Sequence, residues 1–128
     1  MKRRVLKTKH FARWMKKTEL TDESLCSAVD EMQQGLIDAD LGGNLYKKRV
    51  GLANRGKRGG ARTLLATNLD NRWFFVHGFE KNDKSNITNS ERDALHQMAS
   101  HLLTLTEELL AVQLTISELM EICNEHSV

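Results

Sequence analysis

The run Lys47-Lys48-Arg49-Val50-Gly51-Leu52-Ala53-Asn54-Arg55-Gly56-Lys57-Arg58-Gly59-Gly60-Ala61-Arg62 joins two strand-like segments. Segment 45–50 enters the run, segment 62–67 leaves it, and a third strand-like segment, 72–79, follows after a polar turn. Seven of the sixteen residues are Lys or Arg, four are Gly and none is acidic. The pattern predicts a flexible basic loop between two strands of a β-meander.

A loop of this composition suits the binding of an anion. Backbone N–H groups approach an anion closely where glycine replaces a side chain, and Lys and Arg neutralise its charge. Phosphate is the most common anion of this kind, and a nucleic-acid strand presents several phosphates in a row. We therefore interpret the run as a nucleic-acid contact.

Charge is sorted into blocks along the chain, although the net charge of its 128 residues is only +2. Residues 1–17 hold eight Lys or Arg and no acid, whereas residues 18–43 hold seven acids and no base. Residues 102–128 hold five Glu and no base. Such sorting predicts a surface that attracts a polyanion on one side. For 1–17, a merely solvated surface is the favoured interpretation.

The expected fold class is α+β, with a small antiparallel sheet of three to four strands. The length suits one domain, 1–128, in three parts: a strand and helices (1–44), the sheet and basic loop (45–87) and C-terminal helices (88–128). Segment 3–8 is predicted as a short edge strand. The N-terminal helices are expected to cover one face of the sheet.

Two threonines mark predicted helix starts. Thr21 precedes two acids and an apolar stripe of helical spacing, and Thr88 forms a capping box with Glu91. Further helical segments are expected through 109–114 and, as a short turn, up to about Cys123. This acidic, leucine-rich tail either packs on its own domain or presents a groove to a partner.

The segment Trp73-Phe74-Phe75-Val76-His77-Gly78-Phe79 is almost continuously apolar, which predicts a central strand covered on both faces. Strict alternation would place His77 and Phe79 on the face of Trp73 and Phe75.

The remaining composition excludes several classes of site. Cys26 and Cys123 lie far apart and are expected to be lone buried thiols, and no His or Cys spacing predicts a metal or another cofactor. The glycines match neither a Walker motif nor a dinucleotide fingerprint. With neither a long apolar run nor a signal-peptide pattern, we expect a cytoplasmic protein without membrane contact.

The conspicuous cations suit RNA cleavage by transesterification. RNA supplies its own nucleophile, the 2′-hydroxyl, so that an enzyme need only orient it, take its proton and stabilise the charged transition state. The same residues also suit plain RNA or DNA binding, and composition does not separate the two.

Three blocks, at 55–63 (RGKRGGART), 70–75 (DNRWFF) and 78–87 (GFEKNDKSNI), resemble in order and spacing the RelE/HigB branch of toxins from bacterial toxin–antitoxin pairs. The resemblance implies helices packed on an antiparallel sheet, and a metal-independent endonuclease that cuts mRNA in the ribosomal A site. It also implies a cognate antitoxin, often a helix-turn-helix protein, through which the complex binds operator DNA.

The resemblance also assigns residues. It implies that Arg62 holds the scissile phosphate, that Lys47 or Arg49 acts as the base, and that Lys81 stabilises charge. The residues expected to bind RNA are Lys48, Arg55, Lys57, Arg58 and Asn82.

One departure concerns the general acid. Some family members place a Tyr just after the polar segment 80–86, near Ile87-Thr88 of this chain, and the only Tyr is Tyr46. His77 is the remaining candidate acid, with a core histidine as the alternative. Two other functions stay open: a gyrase inhibitor of the related ParE branch, and a non-catalytic nucleic-acid-binding module.

Overall fold

A computed structural model describes residues 3–52, 56–80 and 87–123, with the backbone alone at 56–59. Its elements are β1 (Arg4–Thr8), α1 (Lys9–Met15), α2 (Asp22–Gln33), β2 (Ala39–Asp40), β3 (Leu45–Leu52), β4 (Gly56–Thr67), β5 (Arg72–Glu80), α3 (Asn89–Leu103), α4 (Glu107–Thr115) and β6 (Leu119–Ile122). The α+β class is confirmed, and four helices flank one sheet within these residues.

The sheet is larger than expected and mixed in direction. Its six strands follow the order β2-β3-β4-β5-β1-β6. The prediction of a purely antiparallel sheet with an N-terminal edge strand is wrong, because β1 pairs parallel to β5 and antiparallel to β6. Val5 and Leu6, one on each face of β1, are both almost fully buried. A strand that is apolar on both faces is stable in the sheet interior, between two partners.

Each face of the sheet carries its own apolar core. Helices α1 and α2 pack on one face through residues such as Phe11, Leu25 and Val29, as predicted. Helices α3 and α4 cover the other face through residues such as Leu95, Leu102 and Leu110. Within the described ranges, no helix has the length and hydrophobicity needed to cross a membrane.

The predicted helix starts are confirmed. The Thr21 side chain accepts a hydrogen bond from the backbone N–H of Ser24, and the Ser24 hydroxyl accepts one from the backbone N–H of Thr21. Thr88 and Glu91 exchange the same pair of bonds at the start of α3. Both capping boxes satisfy backbone donors that a helix leaves open at its first turn.

The basic run is mostly strand, where a flexible loop was expected. β3 continues to Leu52 and β4 begins at Gly56, so that the two strands form a hairpin in which these residues pair. Both strands therefore extend beyond the 45–50 and 62–67 limits of the prediction.

A bulge in β5 changes which face its distal residues occupy. Leu64 pairs with His77 but the next residue, Leu65, pairs with Phe75, so Val76 is an extra residue of β5. Strict alternation therefore fails beyond this point. His77 lies on the face of Leu64, opposite the face of Phe75.

Gly78, directly after the bulge, is in tight contact with helix α1. A Cβ atom there would lie 2.6 Å from Cη2 of Trp14 and closer still to its Cζ3. We expect Gly78→Ala to lower the free energy of unfolding by about 1–3 kcal/mol through overpacking. Denaturant unfolding of Gly78→Ala, Trp14→Leu and the double variant checks this. Independent effects in the double-mutant cycle would contradict the steric explanation, which predicts that Trp14→Leu relieves the cost.

The C-terminal segment also differs from its prediction. The expected short helical turn up to about Cys123 is strand β6, and Cys123 is bonded to Cys26 of α2 in a disulfide. The prediction of two lone thiols is therefore wrong. Cys26 and Cys123 are 97 residues apart in the sequence, but pairing of β6 with β1 brings their Cα atoms to within 5.5 Å of each other. Arg4 of β1 also donates two hydrogen bonds to Glu121 of β6, which raises the pKa of its guanidinium.

Candidate nucleic-acid interface

The strand register gathers cations from separate parts of the chain on one face of the sheet. Arg49 of β3 pairs with Arg62 of β4, which pairs in turn with Phe79 of β5. Directly opposed residues project to the same face with Cβ atoms about 5 Å apart. The ring centroids of Phe79 and His77 are 6.2 Å apart, consistent with a shared face beyond the bulge.

A second row lies directly beside the first. Lys47 of β3 pairs with Leu64 of β4, which pairs with His77 of β5. Leu64 belongs to the core under α3 and α4, so Lys47 and His77 lie on either side of a residue of that core. We define the basic face as Lys47, Arg49, Arg62 and His77, four of the predicted catalytic residues. The four residues lie on three neighbouring strands, β3, β4 and β5, and face the same side of the sheet.

The cations of the basic face differ in their contacts. Arg49 Nε donates to Oδ1 of Asp38 over 3.2 Å, and the Arg49 backbone N–H donates to Oδ2 over 2.7 Å. Arg62 is partly exposed and donates to the carbonyl oxygen of Gly60 over 3.3 Å. Lys47 is also partly exposed, and its ammonium forms no ion pair with a carboxylate of the described residues. Arg49 is the most exposed of the three, but its charge is offset by Asp38, whereas the charges of Arg62 and Lys47 are not offset by a described carboxylate.

Lys48 does not belong to this face, contrary to its predicted role in RNA binding. Lys48 is only 3% exposed to solvent, and it lies on the side of the sheet that α2 covers. The Lys48 ammonium lies 2.8 Å from Oε1 of Glu31 and donates to the Leu36 carbonyl oxygen over 3.0 Å. Alternation along β3 turns Lys48 inward between Lys47 and Arg49. These contacts of Lys48 link β3 to α2 and to the segment that follows it.

Several predicted residues fall outside what the structure describes. Arg55, Lys81 and Asn82 lie outside the described residues, and only the backbone is described for Lys57 and Arg58, both within β4. The roles expected of these five residues stay predictions.

Sequence reasoning missed a second imidazole, His10, at the start of α1. His10 Nε2 lies 3.3 Å from Nδ1 of His77, and the two rings stack with centroids 5.5 Å apart. β1 runs parallel to β5 and leads straight into α1, which places His10 beside the distal half of β5. In such a contact one ring donates its N–H and the other accepts, so that the tautomer of each ring depends on that of its partner. Nothing in the sequence near His10 signals this contact, because it depends on the parallel pairing.

Tyr46, the only tyrosine, belongs to the opposite face. Its ring packs against the core under α1 and α2, and it pairs with Leu65 of that core. Burial, and then the negative charge of Asp40, raise the pKa of its hydroxyl above the ordinary value of 10.0. Tyr46 is thus not placed to stack on a ligand of the basic face.

The basic face combines chemical groups that suit a phosphodiester. A guanidinium binds two phosphate oxygens at once, a lysine accepts or donates a proton according to its charge state, and an imidazole does both near neutral pH. The described His, Cys, Asp and Glu residues form no group of three or more that would hold a metal ion.

Comparison with known proteins agrees with the resemblance seen in the sequence. A family model described as the RelE toxin of the RelE/RelB toxin–antitoxin system matches residues 3–122. The match covers all six strands and four helices, including the basic face. No curated protein matches the chain significantly.

Proposed function

The chain belongs to the RelE toxin family of toxin–antitoxin systems, and from this premise we propose that it is a ribosome-dependent mRNA endonuclease. The observation that carries the proposal is the basic face, which places two guanidinium groups, an amine and an imidazole on three adjacent strands. The RelE family is generally associated with RNA cleavage, and its members act beside a cognate antitoxin.

The proposed reaction is a transesterification within the RNA strand. The 2′-oxygen attacks the adjacent phosphorus while its proton passes to the enzyme. The bond from phosphorus to the 5′-oxygen then breaks, and that oxygen receives a proton. The products are a 2′,3′-cyclic phosphate and a 5′-hydroxyl, so that no external nucleophile or cofactor takes part.

Each residue of the basic face has a proposed role. Lys47 is the better base of the two residues that the resemblance offered, because a guanidinium stays protonated in proteins and Arg49 is held by Asp38. Arg62 binds the scissile phosphate and stabilises its developing charge. Lys81 is proposed to add positive charge, and Arg55, Lys57, Arg58 and Asn82 to bind RNA.

The partners follow from the family and the proposed reaction. The family implies an antitoxin, which we propose to be a helix-turn-helix protein that carries the complex to operator DNA. The proposed site of action, the ribosomal A site, places the toxin in the cytoplasm.

Mapping of RNA 5′ ends across the transcriptome after induced expression tests the proposal. We expect new 5′-hydroxyl ends within translated reading frames, and their loss when ribosomes are cleared from mRNA before induction. Growth arrest with DNA damage and intact mRNA would favour a gyrase inhibitor instead. Tight RNA binding without growth arrest would indicate a binding module.

We propose His77 as the general acid, positioned by His10. His77→Gln is expected to lower the rate of mRNA cleavage about 10²–10⁴-fold, the usual contribution of a general acid. His10→Gln should have a smaller effect and shift the pH profile of cleavage. His101→Gln, an exposed histidine on α3, serves as the control in a reconstituted translation assay. An unchanged rate in His77→Gln would assign His77 to the core instead.

A further inference from the structure

A cleft of about 500 Å³ lies between α1 and the segment that leads into β6. This volume falls in the range of ligand-binding cavities in proteins. Its lining is Lys7, Lys9, Ala12, Arg13, Met15, Lys16, Thr18, Leu20, Ser117 and Met120. The cleft lies on the side of the sheet that α1 covers, away from the basic face.

The cleft has an apolar floor and a cationic rim. Ala12, Met15 and Leu20 form buried parts of its lining. Four of the lining residues are Lys or Arg, all from the basic block 1–17, whose Lys and Arg residues have no role in the proposed nuclease. Two of the four already have partners, because Lys7 pairs with Asp22 and Lys9 lies 3.9 Å from Glu118.

The other two rim cations are Arg13 on α1 and Lys16 directly after it, and both are exposed. The described carboxylates form no ion pair with either of them. The rim therefore carries positive charge that the described part of the chain does not neutralise, directly above an apolar floor.

An exposed apolar stripe on α4 and its C-cap lies on the opposite face of the sheet and is connected to the cleft along the chain, at the sheet edge formed by β6. Leu109, Val112 and Ile116 are 50%, 48% and 55% exposed. Their spacing of three and four residues places them on one side of the helix. Ile116 immediately precedes Ser117, which lines the cleft. Exposed apolar side chains in a contiguous row commonly mark a protein–protein contact.

We propose that the cleft and the α4 stripe form one docking surface for an acidic protein segment that carries large apolar side chains. Its apolar side chains would cover the stripe and enter the cleft, and its carboxylates would meet Arg13 and Lys16. A nucleic acid would satisfy the cations but leave the apolar floor and stripe in water. The partner of this chemistry is the antitoxin that the family implies, so the inference rests on family membership and not on the nuclease activity.

The binding partner for the test is the protein encoded beside this chain, purified and titrated against it by isothermal calorimetry. Three matched Arg→Glu variants separate the surfaces: Arg13→Glu in the cleft, Arg62→Glu on the basic face and Arg92→Glu on α3. We expect Arg13→Glu to weaken binding about tenfold or more, as reversal of an interfacial charge does. Arg62→Glu and Arg92→Glu should bind within about threefold of wild type, in the range of a neutral contact.

The apolar stripe has its own matched pair. Val112→Asp should weaken binding at least about tenfold. Leu36→Asp, at a residue 55% exposed beyond the end of α2 against 48% for Val112, should not. Circular dichroism of each variant checks that the fold is retained.

Several outcomes would overturn the inference. A loss of binding in Arg62→Glu with Arg13→Glu unaffected would place the antitoxin on the basic face. Unchanged affinity in both Arg13→Glu and Arg62→Glu would equally reject the proposed docking surface, and so would the absence of binding by the wild-type chain. A single-stranded RNA oligonucleotide that binds wild type but not Arg13→Glu would assign the cleft to nucleic acid. None of these readouts involves cleavage, so absence of new mRNA 5′ ends would count against the nuclease alone.

Discussion

Arg62→Ala is expected to abolish growth arrest and to lower the rate of mRNA cleavage about 10²–10³-fold, the usual cost of removing one donor to a transition-state oxyanion. Arg62 lies at the centre of the basic face, directly between Arg49 on β3 and Phe79 on β5. Among the described residues, its side chain makes one hydrogen bond, of 3.3 Å, to the carbonyl oxygen of Gly60. Because its loss breaks no ion pair among the described residues, the fold should be retained.

Two further substitutions test the proposed role of Arg62. Arg62→Lys keeps the positive charge but loses the two-point contact with phosphate, so we expect an intermediate rate between wild type and Arg62→Ala. Arg92→Ala on α3 removes a guanidinium outside the proposed site and should cleave at the wild-type rate. Rates are measured on translated mRNA in a reconstituted system, with thermal unfolding as the check of folding. Wild-type cleavage by Arg62→Ala would reject the proposed site.

Removal of the disulfide is expected to produce the largest loss of stability. The bond closes a loop of 97 residues between α2 and the end of β6. A cross-link over such a span reduces the conformational entropy of the unfolded chain, and it usually stabilises a domain by about 2–4 kcal/mol. We therefore expect the double variant Cys26→Ser/Cys123→Ser to unfold roughly 10 °C below the oxidised protein.

Reduction of the wild-type chain supplies the matched control. A thiol reductant should lower the Tm of wild type to near that of the double variant, and should leave the variant unchanged. Equal Tm values for oxidised wild type and the variant would contradict the expectation. Disulfides are rare in the reducing cytoplasm, so the reduced state is the relevant one at the proposed site of action. There β6 depends on its pairing with β1 and on the Arg4–Glu121 contact.

The local features of this chain were predictable from short stretches of sequence. Thr21 and Thr88 marked helix starts, since a side-chain oxygen that caps a helix acts within three residues. The apolar run in β5 identified a central strand, because burial on both faces requires apolar side chains throughout. The spacing of the basic and glycine residues carried the family resemblance, which the family match over residues 3–122 confirms.

Contacts between distant segments were decided by the tertiary structure. Pairing of β1 with β5 brought His10 beside His77, and pairing of β6 with β1 brought Cys26 beside Cys123. The bulge at Val76 depends on hydrogen bonding between two strands, and it moved His77 to the face of Leu64.

This sequence by itself determined that cations and glycines are concentrated in 47–62, and capping and hydrophobic periodicity determined where its helices begin. Only the tertiary structure decided which cations meet. It placed Lys47 and Arg49 with Arg62 on the side of the sheet that α3 and α4 cover, and it buried Lys48 between them against Glu31 on the other side. The physical reason is that propensity and capping act within a few residues, whereas register and burial depend on segments far apart in the chain.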